Sequence, residues 1–180
     1  MANKTFAHLQ HYITQKDKIL DVGSGNGFIS EKIRKEIGAR VIPIDVGNFS
    51  ENGHKPIIFD GVSIPFHDNT FSTSIVCFVL HHARHPLKLL QEIKRVTIEK
   101  IIIFEDTPET LLDIVLTYGH WIGSLIKYRS RKMQFKPDAE WKKIFNTLGF
   151  VVVEERYISR KRHWIYPIHR KMYLLQPVKA

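Results

Sequence analysis

The sequence predicts an α/β domain, an open and mostly parallel sheet with helices on both faces. Three observations lead there. Ile19-Leu-Asp-Val-Gly-Ser-Gly-Asn-Gly27 reads as a buried strand, Lys18 to Val22, running into a glycine turn and then a helix, Phe28 to Ile37. Arg40 to Asp45 reads as the next strand, which completes a strand–helix–strand unit and ends in a carboxylate 20 positions after Gly25. Ile75-Val-Cys-Phe-Val-Leu80 is a near-continuous apolar run, the pattern of a parallel strand buried on both faces.

In chain order, Phe6, Leu9, Tyr12 and Ile13 recur at helical spacing and predict an amphipathic helix over Thr5 to Gln15. Gly23, Gly25 and Gly27 alternate in the turn after the first strand, where positive φ and the lack of a Cβ let a ligand approach the backbone. The helix beyond the turn offers unpaired N–H groups and a partial positive charge to an anionic group. A dinucleotide fingerprint, G-x-G-x-x-G, would require glycine at 28, and Phe28 stands there, which disfavours a nicotinamide-dependent dehydrogenase. Gly47 to His54 is a polar connection, and Pro56 to Asp60 reads as strand three, with Asp60 and Gly61 at its carboxyl end.

Ser72 to Leu80 is strand four, and His81, His82 and His85 come next, at the edge where open α/β sheets place their chemistry. A histidine there can take a proton near neutral pH. No Asp, Glu or Cys lies close by in sequence to complete a metal site. Pro86 to Val96 is a helix, with proline in its first turn, apolar Leu87, Leu90 and Ile93, and a Glu92/Arg95 pair at i, i+3. Lys100 to Glu105 is strand five, and Glu105-Asp106 at its end are candidates to bind a cationic substrate group or to cap the next segment. Leu111 to Ile126 is an apolar segment passing into the basic run 127–132; it reads either as a helix buried in its own domain or as one suited to an anionic membrane surface. Tyr118, His120 and Trp121 within it are candidates to line an apolar or aromatic pocket. Asp138 to Leu148 is a helix with Asp138 as cap and Gly149 as stop. Phe150 to Ile158 and Trp164 to Leu175 form a closing hairpin around a basic turn, Ser159 to His163.

Composition bounds the function. One cysteine, Cys77, excludes an internal disulfide and any cysteine-based zinc or iron–sulfur site, and mid-strand it reads as a small buried hydrophobe. The amino terminus lacks the layout of a secretion signal, and no apolar run reaches the ~20 residues needed to span a bilayer, so the expected compartment is the cytoplasm. Residues 1–109 carry 13 Lys/Arg and 13 Asp/Glu, whereas residues 110–180 carry 14 and 5, so the net charge of +9 lies wholly in the second part. Such a surface draws anionic partners or simply keeps the protein solvated. Nucleic acid is one such partner, through residues 127–132 and 160–163; peripheral membrane contact is another.

ILDVGSGNG, with PIDV after it, resembles the class I S-adenosylmethionine-dependent methyltransferases, in particular the type 11 group. The resemblance extends through Asp60-Gly61, Ile64-Pro-Phe66, Asn69-Thr-Phe71, Phe78-Val-Leu-His-His82 and Leu90-Gln-Glu-Ile-Lys-Arg-Val96, roughly residues 17 to 106. The family usually has Asp where this chain has Ser72. The resemblance implies a Rossmann-like sandwich, a seven-stranded sheet in the order 3-2-1-4-5-7-6, over a single domain 1–180 with 109–135 as a lid or substrate-side insertion. It also implies S-adenosylmethionine as cofactor, bound by Asp21, Gly23, Ser24, Gly25, Gly27, Asp45, Val46, Asp60, Gly61, Cys77 and Phe78. In that frame Asp45 holds the ribose hydroxyls, Asp60 accepts from the adenine amino group, and the amino-terminal helix often lies over the cofactor. His82 is the candidate base, with His81 behind it. The expected acceptor is a small, partly apolar molecule. The alternatives are an RNA or DNA methyltransferase, disfavoured because the Asp/Asn-Pro-Pro-aromatic motif and a Pro-Cys pair are absent, and a cofactor-binding module without catalysis.

Overall fold

The computed structural model describes residues 2–51, 53, 55–110, 113, 115, 134–159 and 169–178. Seven strands, β1 (Lys18–Val22), β2 (Arg40–Asp45), β3 (Ile57–Ile58), β4 (Phe71–Cys77), β5 (Thr97–Asp106), β6 (Phe150–Ser159) and β7 (Arg170–Pro177), make one sheet. Its order is the expected one, β3-β2-β1-β4-β5-β7-β6. The first five strands run parallel, and β7 is antiparallel to both β5 and β6. The carboxyl ends of β1, β2, β4 and β5 therefore open on one edge.

Strand periodicity divides the core between the two faces. Ile75, Ile102 and Phe104 join Phe6, Leu9, Ile13 and Ile33 on the face covered by α1 (Ala2–Leu9) and α2 (Phe28–Lys32). Their neighbours Val76, Ile101 and Ile103 point the other way, onto α3 (Pro86–Val96) and α4 (Asp138–Thr147) through Leu89, Leu90, Ile93, Trp141 and Phe145. Each fully buried side chain of this kind contributes roughly 1.5–3 kcal/mol. Among the described residues no helix is long and apolar enough to cross a membrane.

Several boundaries differ from the sequence reading. Helix α1 occupies 2–9 rather than 5–15: the Tyr12 N–H turns to the Leu9 carbonyl in place of an i→i−4 bond, and beyond it Thr14 donates both its N–H and its hydroxyl to the Asp17 carboxylate. Asp17 also accepts from Thr73 and Ser72 and pairs with Lys100, which ties this turn to β4 and β5. Helix α2 ends in a π turn, Ile33–Ile37, closed by the Gly38 N–H donating to the Ile33 carbonyl with Gly38 at φ 78°. Strand β3 keeps only two of its five expected residues. Strand β4 stops at Cys77, three residues early, because Phe78 turns to φ 60° while its N–H bonds the Phe104 carbonyl. Strand β5 begins three residues early, at Thr97, and β7 starts at Arg170, residues 160–168 lying outside the described set. Within Leu111 to Ile126 only Asp113 and Val115 are described; both are helical, the first buried and the second exposed.

Helix α3 spans the expected residues with Leu90 and Ile93 buried, but Leu87 is exposed and Leu89 faces the core in its place. The Arg95 guanidinium bonds Glu92 and reaches on to the carbonyls of Ile64 and Phe66. Helix α4 corrects the capping assignment. Pro137 occupies the cap position, and Asp138 turns inward instead, accepting from the Tyr173 hydroxyl at 2.7 Å and pairing with the Lys171 ammonium at 2.7 Å. Lys171 is only 3% exposed, so its charge depends on this partner. Burial alone would raise the Asp138 carboxyl, but Lys171, Tyr173 and Lys142 together hold it below its usual range.

A cap lost by mutation costs ~0.5–2 kcal/mol, whereas removing one member of a buried pair costs ~3–5 kcal/mol. Asp138→Ala is therefore expected to lose about 3–5 kcal/mol in urea unfolding, and Asp138→Ser, which keeps a capping side chain, to recover little of it. Full recovery by Ser would return Asp138 to the capping role.

Candidate functional site

The glycine turn is built by backbone bonds that leave its outer side open. Gly23 and Ser24 donate to the Ile44 carbonyl, and Gly27 donates back to the Ser24 carbonyl. Gly23, Gly25 and Gly27 all take positive φ, at 69°, 55° and 79°. A Cβ on Gly23 would lie 2.4 Å from a Val79 methyl carbon, so this position must be glycine to let β4's exit pack against the turn. A Cβ on Gly25 would meet nothing within 4 Å. Here the absence of a side chain leaves a cradle, not a packing contact.

Asp45 closes that cradle. The Gly25 N–H donates to Oδ2 at 2.8 Å and the Val46 N–H donates to Oδ1 at 2.7 Å. The residue is 7% exposed. Burial raises its carboxyl above the usual value, and the N–H groups of Gly25, Val46 and Gly47 oppose that rise. Each carboxylate oxygen offers about two lone-pair directions, so at least one acceptor site remains after these three N–H groups. Val46 beside it is 59% exposed, a large apolar side chain standing open next to a buried acid. The 59–61 corner abuts this strand end: the Phe59 N–H donates to the Asp45 carbonyl, and a Cβ on Gly61 would lie 3.1 Å from Val46 Cγ1. Asp60 itself is exposed, and its Oδ1 accepts from the Val62 and Ser63 N–H groups at 2.8 and 2.6 Å, which holds its carboxyl below the usual range.

Asp21 sits one strand inward, 2% exposed, accepting from the Ser30 hydroxyl at 2.6 Å. Burial, with a contribution from the Asp45 charge, pushes its carboxyl up to about 6. Cys77 is half-buried, and burial together with the Asp21 and Glu105 carboxylates keeps its thiol protonated, which rules against a nucleophile. The Arg170 guanidinium stands 5.3 Å from the centre of the Phe78 ring.

At the end of β4, His81 is 2% exposed and donates from Nδ1 to Glu105 Oε2 at 2.5 Å, while Glu105 Oε1 accepts the Leu80 N–H at 2.7 Å. Burial lowers the His81 ring, but the Glu105 charge and hydrogen bond, with Asp106, outweigh it, and the net direction is upward. The half-buried His82 ring packs against it at 4.2 Å between centroids, and Phe135 stacks on its other neighbouring side at 4.7 Å. Glu105 and Asp106 are thus not available to a cationic substrate as the sequence suggested, because the first is bound to His81 and Leu80 and the second to Arg170 at 2.9 Å. Phe135, Arg170 and Ser30 carried no sequence signal, since only the fold brings them to this edge. Tyr118, His120 and Trp121, and the basic segments 127–132 and 160–163, lie outside the described residues. Among the described residues there is no group of three His, Cys, Asp or Glu side chains placed to hold a metal.

Comparison with known proteins gives the same frame. Residues 20–103 match the sequence family described as methyltransferase domain. The demethylmenaquinone methyltransferase of Thermobifida fusca is 30% identical over 67% of this chain and 57% of its own length. The chain spans a little under three fifths of the curated relatives it matches, between 56% and 58%. Among solved structures, a SAM-dependent methyltransferase from Aquifex aeolicus superposes with a TM-score of 0.69 at 19% identity, covering 98% of this chain and 90% of that one. The [4+2]-cyclase SpnF shares the fold at a TM-score of 0.70 and 14% identity, covering 98% and 81%. These structural likenesses show the fold alone.

A pH test isolates Asp21. Its folded carboxyl holds a proton more tightly than the unfolded one, so stability falls as pH rises from about 4 to about 6 and the full cost, on the order of 3 kcal/mol, stands above that. Asp21→Asn keeps an acceptor for Ser30 and is expected to gain stability over wild type at pH 7 but not at pH 4. Equal pH dependence in the two proteins would show that Asp21 is not the buried acid described.

Proposed function

We propose, on the premise that the chain belongs to the class I S-adenosylmethionine-dependent methyltransferases of the type 11 group, that it transfers a methyl group to a small, neutral and partly aromatic acceptor. The observation that carries this is the pairing of an open Gly25 cradle with the buried Asp45 carboxylate, whose remaining acceptor capacity suits a ribose hydroxyl. Bound there, S-adenosylmethionine would supply a methyl carbon already activated by its sulfonium. The residues fit that group. Asp45 would hold the ribose, Val46 and Gly61 would border the adenine, and Asp60 would offer its amino group an acceptor. Asp21 and Asp45, two acids in one crease, favour a ligand carrying positive charge. Gly23, Ser24 and Gly27 shape the turn, while Cys77 and Phe78 border it from β4.

The remaining task for the protein is placement. A well-oriented pair of reactants gains roughly 7–11 kcal/mol over free encounter. His82 would take the proton of an acceptor hydroxyl, with His81 as its buried neighbour. A neutral acceptor is favoured because both acids at the β5 end are already bonded within the chain. The aromatic character of the half-buried Phe135 and His82 and the substrate in the name of the Thermobifida fusca relative support a planar small molecule over a nucleic acid.

These roles carry two expectations. Asp45→Ala is expected to weaken S-adenosylmethionine by about 1.5–3 kcal/mol in calorimetry, the range for a hydrogen bond to a charged group; unchanged affinity would remove the ribose assignment. His82→Ala is expected to keep cofactor affinity and to slow transfer of labelled methyl into small aromatic compounds by about 100-fold or more. Label entering nucleic acid instead would favour the rival reading, and full activity in the variant would remove the base.

A further inference from the structure

We propose that Glu105 is a positioning residue for the acceptor side of the site. Its two carboxylate oxygens hold the Leu80 N–H and the His81 ring, and through His81 they dock the chain returning at Gln134 and Phe135 against the end of β4. The geometry is continuous. Glu105, fully buried at the carboxyl end of β5, grips the turn after β4 from both sides, at 2.7 Å to Leu80 and 2.5 Å to His81. The His81 carbonyl then accepts the Gln134 N–H at 2.8 Å, and the His81 ring stacks on Phe135 with 18° between planes. Residues 134–137 lead directly into α4, so this contact fixes the approach to that helix.

His81 is too deeply buried to touch an acceptor, so its effect must pass through its neighbours. Those neighbours are His82 and Phe135, both half-buried and both in ring contact with it. A buried carboxylate is costly unless its oxygens are bonded, and here every bond it makes goes to this turn. An apolar side chain would fill the same space without holding anything. Glu105 therefore sets the spacing between the β4 turn, which bears Phe78 and His82, and the Phe135 wall. Only the identity of the molecule facing that wall rests on the methyltransferase reading.

Amide hydrogen exchange by NMR on the full chain tests it. Glu105→Ala is expected to lose about tenfold or more protection at Leu80 and Gln134 beyond any change at Ile75 and Ile102 in the sheet, which report global opening. Glu105→Gln keeps a carbonyl oxygen for Leu80 and turns its NH2 to His81 Nδ1, which accepts once the ring carries its proton on Nε2, so protection returns to within about threefold of wild type. His81→Asn is expected to release Gln134 and spare Leu80. Where the Ala variant fails to fold, the two milder variants decide. Unchanged protection in Glu105→Ala or His81→Asn, loss shared equally by the sheet amides, or loss at Leu80 in Glu105→Gln beyond about threefold would overturn the proposal. Calorimetry of the wild type with S-adenosylhomocysteine is the separate arm: no binding would remove the methyltransferase reading while leaving the clamp standing.

Discussion

The structure turns on one crease in which two acids, Asp21 and Asp45, are buried side by side at the ends of adjacent parallel strands. Like charges in a poorly solvated place disfavour each other, and the chain tolerates them by surrounding each with donors: the Ser30 hydroxyl for Asp21, the Gly25 and Val46 N–H groups for Asp45. The glycine turn can offer its N–H to Asp45 only because Gly25 takes φ 55°. The turn, the second strand and the first helix are thus one unit. A fold that carries such a cost at one crease is suited to a ligand that relieves it, as the proposed cationic, hydroxylated cofactor would.

Around that crease the four strand ends are held together by contacts of different kinds. Val79 packs where a side chain on Gly23 would stand, Gly61 abuts Val46, and the Glu105 clamp secures the β4 exit to β5. Side chains that reach across strands here are bonded to protein partners. That distribution leaves an acid-lined half beside the turn and an aromatic half beside Phe135, the arrangement on which the proposed function rests.

Much of the fold was legible because its signals are local. The alternating glycines, the apolar run of β4 and the Pro86 start with the Glu92/Arg95 pair each specify their own element, and the sheet order came from the family resemblance. The misreadings all came from partners distant in sequence or from bonds that periodicity does not register. Nothing near Asp138 announces that Lys171 and Tyr173 will meet it from β7, so it read as a cap. Phe78, Val79 and Leu80 continue an apolar pattern, yet bonds to Phe104 and Glu105 end the strand at Cys77. The first helix gives way to a turn closed by the Tyr12 N–H on the Leu9 carbonyl, a bond of the second kind. For the site, the turn glycines and Asp45 were visible as a motif. The commitment of Glu105 to His81 was not, because 24 residues separate them and either acid at the β5 end fitted a substrate role.

The most direct measurement is a crystal structure of the protein with S-adenosylhomocysteine. The account predicts the ribose hydroxyls on the Asp45 carboxylate and the ligand lying over Gly25, with Val46 against the adenine. Electron density for the ligand elsewhere, or a crease that stays empty at saturating ligand, would contradict it.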